Sequence, residues 1–295
     1  RAGRKNLIIN GGFDVWQRGA YTSATGVAND TYYADRFFTL ISIVTATLQN
    51  TANSAKLSAT SSNTGYIGLS QKVEDKVYNT LKGKTVTLSA KVTSNKSNAR
   101  LRSYNGSAWA DSATSHSGNG TEETLTHTFT VSSSPSNLII QLITYDGDSV
   151  ALASGDYIEV TGVQLEVGSV ATDFEHRSYG EELALCQRYY YQVGGASMEY
   201  LCQGDFYTAT QFNPSIIFPV TMRTAPSFTQ VSGANYFIVY RASNSVYKDD
   251  DWTFWKSSPN VASIYGPMDG TSTQGHSGRC LAANGNAKLM FSAEL

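Results

Sequence analysis

At 295 residues the chain is long enough for two ordinary domains, and its 41% apolar content supports a packed interior. A formal net charge of −2 denies it the concentrated basic field that binding to a phosphate backbone requires. No apolar run approaches the roughly 20 residues of a membrane-spanning helix, so neither nucleic acid nor membrane insertion is expected.

Tyr and Thr suit pleated, half-buried strands, while Gly, Asn and Ser suit turns. The 18 tyrosines, 25 glycines and only 6 prolines therefore favour an all-β chain with many loops. The first residues, Arg1, Arg4 and Lys5, read as a solvated arm, and a start on Arg rather than Met implies upstream sequence or processing. Asn10-Gly11-Gly12 permits a tight backbone path beside the first strand. Phe13 and Trp16 are expected in the core or against its edge, and Arg18 and Arg36 to pair with Asp14 or Asp35. The alternative for those carboxylates is a structural calcium held by Asp14, Asp35 or Asp156 with backbone carbonyls. No contiguous calcium loop is present, and no other cofactor is indicated.

Strand signals continue to residue 167. Val86, Leu88, Ala90 and Val92 alternate with polar residues, as do Leu125, His127, Phe129 and Val131, and 138–145 is a more continuous apolar run. Ile158 and Val160 share one phase while Val163, Leu165 and Val167 share the other, which predicts a β-bulge at Thr161-Gly162. Short strands separated by Gly/Ser/Asn clusters predict a jelly-roll β-sandwich over 1–172.

A linker and helix are expected over 173–196. Ser178 and Glu181 fit a capping box, Leu183, Cys186 and Tyr190 form an apolar stripe, and Gly194-Gly195 provides a stop. The stripe packs either on its own sheet or with symmetry mates. From 197 to 295 the pattern is β again, with expected strands at 199–207, 215–220, 236–242, 251–256 and 288–293. Long apolar runs are few there, so this small β domain is expected to complete its core by trimerising. The three cysteines, Cys186, Cys202 and Cys280, lack metal or disulfide spacing and read as buried thiols.

Two segments carry a family likeness. The first runs from Asn6 through Asn10-Gly11-Gly12-Phe13 and Trp16 to Gly19, followed by Tyr33-Ala34-Asp35-Arg36-Phe37. The second runs from Val163 to Phe174 and on through Glu181-Glu182 to Tyr190. The stretches 218–226 and 291–295 add to it. Together they resemble tail-fibre and receptor-binding proteins of tailed bacteriophages that carry a carbohydrate-binding-module-like jelly roll, although Phe37 stands where that family often has Trp. The resemblance implies a homotrimeric virion fibre, assembled in the host cytoplasm, that contacts other phage tail proteins. It also implies recognition of a host surface polysaccharide or lipopolysaccharide during adsorption. A connector or decoration protein binding only phage proteins is the alternative.

No enzyme is expected. His116, His127, His176 and His276 have no metal-ligand spacing, and His127 sits among core positions. Gly275-His276-Ser277-Gly278-Arg279 misses the last glycine of a nucleophile elbow. Glu122-Glu123 and Asp249-Asp250-Asp251 read as exposed turns rather than the paired carboxylates of a glycan hydrolase, and an esterase finds no better support. A sugar binds by stacking its C–H face on an aromatic ring and hydrogen-bonding its rim. Two regions offer that chemistry: Tyr104, Asn105, Trp109 and Asp111, and Tyr247, Asp250, Trp252 and Trp255. The alternative is that Trp109 returns to the core from a hairpin turn and that Trp252 and Trp255 fill a trimer interface.

Overall fold

Period-two alternation in the first half of the chain becomes strands that bury one face and expose the other. The computed structural model describes residues 4–241 and 246–295, and side chains outside 242–249. It divides into two compact units, residues 1–186 and 187–294.

The first unit holds β1 (Thr25–Val27), β2 (Phe38–Ser42), β3 (Ala46–Asn50), β4 (Ala55–Ala59), β5 (Asn63–Val73) and β6 (Thr85–Ser94). It continues with β7 (Ala99–Tyr104), β8 (Trp109–Asp111), β9 (Glu122–Thr130), β10 (Leu138–Thr144), β11 (Val150–Leu152) and β12 (Tyr157–Val167). The short helices are α1 (Asp75–Tyr78) and α2 (Tyr179–Gln187). One sheet has the order β1-β3-β4-β12-β6-β9; in the second, β5 pairs with β2, β10 and β11, and β10 leads to β7 and β8. The chain passes repeatedly between the sheets, giving the jelly-roll sandwich predicted by the alternation. Val86, Leu88, Ala90 and Val92 on β6 share one core with Leu69, Leu101, Ile140 and Leu142 of the second sheet. The β12–β6 register shifts between Thr161 and Gln164, where Gly162 takes a φ of 60°, as the phase change predicts.

The two resembling segments meet in this unit. Asn6 Oδ1 accepts from the amides of Ile8 (3.0 Å) and Leu165 (3.2 Å), and its Nδ2 donates to Val163 O (3.1 Å). The Asn10 amide donates to Glu182 Oε1 at 2.6 Å, and Arg177 donates to the carbonyls of Ile8 and Asn6 while pairing with Glu182 at 3.1 Å. Val163 N donates to Gly11 O (2.8 Å), and a Cβ on Gly11 would lie 2.0 Å from Val163 O. Phe13 is buried, Trp16 packs against the core, and Arg18 pairs with Asp35 at 3.6 Å. The capping box forms as predicted: Glu181 N donates to Ser178 Oγ and Ser178 N to Glu181 Oε2.

The second unit holds β13 (Tyr190–Gly194), β14 (Tyr200–Phe206), β15 (Gln211–Ile217), β16 (Ser227–Val231) and β17 (Phe237–Arg241). It ends with β18 (Val246–Asp249), β19 (Thr253–Ser257), β20 (Val261–Pro267), β21 (Ser277–Ala282) and β22 (Lys288–Ser292). They form a sheet ordered β13-β22-β16 and a seven-stranded sheet ordered β18-β17-β21-β14-β15-β20-β19.

Three expectations are corrected. The helix ends at Gln187 rather than at Gly194-Gly195, because Tyr190–Gly194 pairs in register with β22; Tyr190 therefore leaves the predicted stripe. Residues 173–196 are not a separate linker: those up to 186 belong to the first unit and the rest to the second. The second unit does not wait for other copies to fill its interior. Phe206, Phe212, Phe237, Phe291, Leu289 and Ile264 are fully buried within one chain, because aromatic residues do the work that long aliphatic runs would otherwise do. The cysteines are free and buried, as expected.

Gly11→Ala should lower stability by about 1–3 kcal/mol, the ordinary cost of forcing extra atoms into a packed interior, read as a lower chemical-denaturation midpoint. His127, buried beside Ser103 (3.0 Å), has its imidazole pKa held below the ordinary value by burial, which the Asp111 charge opposes. A depressed histidine pKa leaves its stability contribution whole above the unfolded value near 6.5 and removes it as pH falls. The melting temperature should therefore drop between about pH 7.5 and 5.5, and drop less in His127→Gln.

Candidate functional site

Directly opposed residues of an antiparallel pair share a face of the sheet. On the second sheet, Trp109 stands opposite Tyr104 and Tyr104 opposite Ile139; Asp111 stands opposite Arg102 and Arg102 opposite Gln141. The intervening residues Leu101, Ile140 and Leu142 enter the inter-sheet core, so these two rows lie on the outer face.

The outer face carries a built arrangement. The Arg102 guanidinium carbon lies 4.5 Å from the centroid of the Trp109 ring and 4.2 Å from that of Tyr145. Arg102 Nε approaches Asp111 Oδ1 at 3.0 Å, an ion-pair contact not aligned as a hydrogen bond. Arg100 reaches Asp111 at 3.8 Å and Asp146 at 2.9 Å. Tyr104 and Trp109 lie 5.3 Å apart with their planes inclined by 57°. Trp109 is 41% exposed, so the cation–π contact steadies the indole without hiding it. Gln141 is only 8% exposed, and its Oε1 has no hydrogen-bond partner. The arrangement offers a ring platform and charged groups of both signs.

Of the residues singled out in the sequence, Tyr104, Trp109 and Asp111 come together here. Asn105 does not serve a ligand: its Oδ1 accepts from the amides of Ser107 (3.0 Å) and Ala108 (2.9 Å), and its Nδ2 donates to Thr130 O (3.0 Å). Its side chain is spent on building the turn. The second group is taken apart. Trp252 is 3% exposed and packs against Phe212 and Phe237, so it is a core residue and offers no face to a sugar. Trp255, three residues along, is 58% exposed with Lys256 Nζ 5.4 Å from its ring centroid. Asp250 is exposed and accepts from Asn235 N at 2.7 Å. The side chain of Tyr247 lies outside the described residues.

Two of the carboxylates named for calcium are held by the protein itself. Asp35 accepts from the Gln17 amide (2.6 Å) and side chain (2.7 Å), while Asp156 accepts from Asn95 Nδ2 (3.1 Å) and Ala153 N (2.8 Å) and pairs with Lys96 (3.2 Å). Asp14 is exposed, and no group of three or more His, Cys, Asp or Glu capable of holding an ion occurs among the described residues. Likewise, Glu122 and Glu123 lie in β9 rather than in a turn, with Glu122 paired to Lys91 (2.9 Å) and Glu123 bonded to Ser117.

Sequence reasoning missed Arg100, Arg102, Gln141 and Tyr145. They are 39 or more positions apart across the strand pair, and only the β7–β10 register brings them together. The one available signal was Gln141, a polar residue in the middle of an apolar run.

No protein-family model matches the chain, and no curated protein matches it. Among solved structures, it is similar to the N-terminal CBM22-1–CBM22-2 tandem domain of Xyn10C from Paenibacillus barcinonensis at 9% identity, covering 100% of both chains with a TM-score of 0.34. It is similar to TmCBM61 in complex with beta-1,4-galactotriose at 13% identity, covering 56% of this chain and 100% of that one with a TM-score of 0.32. The tripod (BppUct-A-L) from the baseplate of bacteriophage Tuc2009 is similar at 12% identity, covering 73% of this chain and 84% of that one with a TM-score of 0.29. At such low scores these are likenesses only.

Proposed function

We propose that the chain binds a host surface glycan, without catalysis, through the outer face of the second sheet of its sandwich. The supporting observation is Trp109, half-exposed and braced by Arg102, which in turn meets Asp111. A sugar ring laid on the indole would place its hydroxyls near groups able to donate or accept: Arg100 and Asp111. The setting is that of a tailed-phage tail fibre in the virion, acting in adsorption to a polysaccharide or lipopolysaccharide. This setting rests on the likeness of residues 6–37 and 163–190 to such proteins. Homotrimerisation rests on the same likeness, since the second unit closes its own core.

Trp109→Ala should weaken binding to host polysaccharide by about tenfold, equivalent to ~1.4 kcal/mol, and Trp255→Ala should leave it unchanged. Both are to be measured by calorimetry on the full chain. Equal binding by wild type and Trp109→Ala sinks the sandwich site; no glycan binding at all favours the connector. Sedimentation velocity should give about three times the monomer mass of 31.9 kDa, and a monomer at micromolar concentration would remove the trimer.

A further inference from the structure

A concavity lies on the second unit. It has a volume of about 240 Å³ and is lined by Gln203, Tyr240, Arg241, Ser277, Gly278 and Arg279. That falls below the roughly 300–1,000 Å³ of pockets for drug-sized ligands, so it suits one small group rather than an extended chain.

Its polar residues come from three neighbouring strands in one row. Tyr240 on β17 stands opposite Arg279 on β21, and Arg279 opposite Gln203 on β14. Cys202, Cys280 and Val239, the chain neighbours of these residues, belong to the core, so the row faces outward. Arg241 is engaged with Ser272 Oγ at 3.1 Å. Arg279 is exposed and has no partner among the described residues, and Gln203 is likewise exposed and unengaged. Asp205 stands opposite Ser277, outside the lining, and does not pair with Arg279.

A guanidinium presents a planar fork of donors matched to the two oxygens of a carboxylate or phosphate. The Gln203 amide and the Tyr240 and Ser277 hydroxyls add donors around it. We propose that this concavity binds the oxyanion of an acidic sugar, with Arg279 as the anchoring cation and Gln203 and Tyr240 as flanking donors. The ligand chemistry is shared by two sources, a uronate carboxylate and a sugar phosphate.

The test is saturation-transfer NMR and calorimetry on the full chain carrying Trp109→Ala, which separates this site from the sandwich face. The probes are an oligogalacturonate, glucose 6-phosphate and a neutral galacto-oligosaccharide. One or both anions should bind, the neutral sugar should not, and binding should weaken as salt is raised. Whichever anion binds identifies the source. Arg279→Ala should reduce the affinity about tenfold or more and Arg279→Lys by less, with the melting temperature unchanged because Arg279 holds nothing in place. Equal binding of neutral and acidic probes, no binding of either anion, or anion binding unaffected by Arg279→Ala overturns the proposal.

Discussion

Two short segments more than 150 residues apart in sequence close the sandwich by satisfying each other's buried polar groups. Asn6 completes the backbone hydrogen bonding at Ile8, Val163 and Leu165, and Glu182 receives both the Asn10 amide and Arg177. Because the Arg177–Glu182 pair is almost wholly buried, losing either partner strands a charge, at a cost of about 3–5 kcal/mol. Gly11 is required by the same junction, since its backbone lies against the Val163 carbonyl where a side chain has no room. The latch fixes the end of β12, and β12 sits between β4 and β6 in its sheet.

That junction also explains what could be read in the sequence. Alternation in β6, β9 and β12 is local, so strand, face and even the bulge at Gly162 were legible. The capping box was legible because its two residues lie within one turn. The end of the helix was not, because the pairing of Tyr190–Gly194 with β22 depends on residues almost 100 positions away. The second unit was harder still. β16, β20 and β21 carry no strong apolar alternation, and the core is built from aromatic side chains whose burial depends on the far side of the sheet. The Trp252–Trp255 segment shows the limit: both indoles suit sugar stacking by composition, yet one is interior and the other exposed.

At the candidate site, two aromatic rings and an ion pair hold Arg102, and Arg102 in turn supports Trp109. A platform held this way loses little side-chain freedom when a ligand arrives, which lowers the cost of binding. Single contacts of this kind remain weak, and presenting several together would strengthen them by raising the effective concentration of the second encounter.

The placement of α2 has a practical consequence for dissecting the protein. A fragment cut at residue 172 keeps every strand of the sandwich but discards Glu175, Arg177 and Glu182. The amides of Asn6 and Asn10 would then have no acceptor in the fragment and would turn to water, loosening the opening segment from β12. The compact unit is the one that retains the helix through Cys186, although all of its sheet structure is complete nineteen residues earlier.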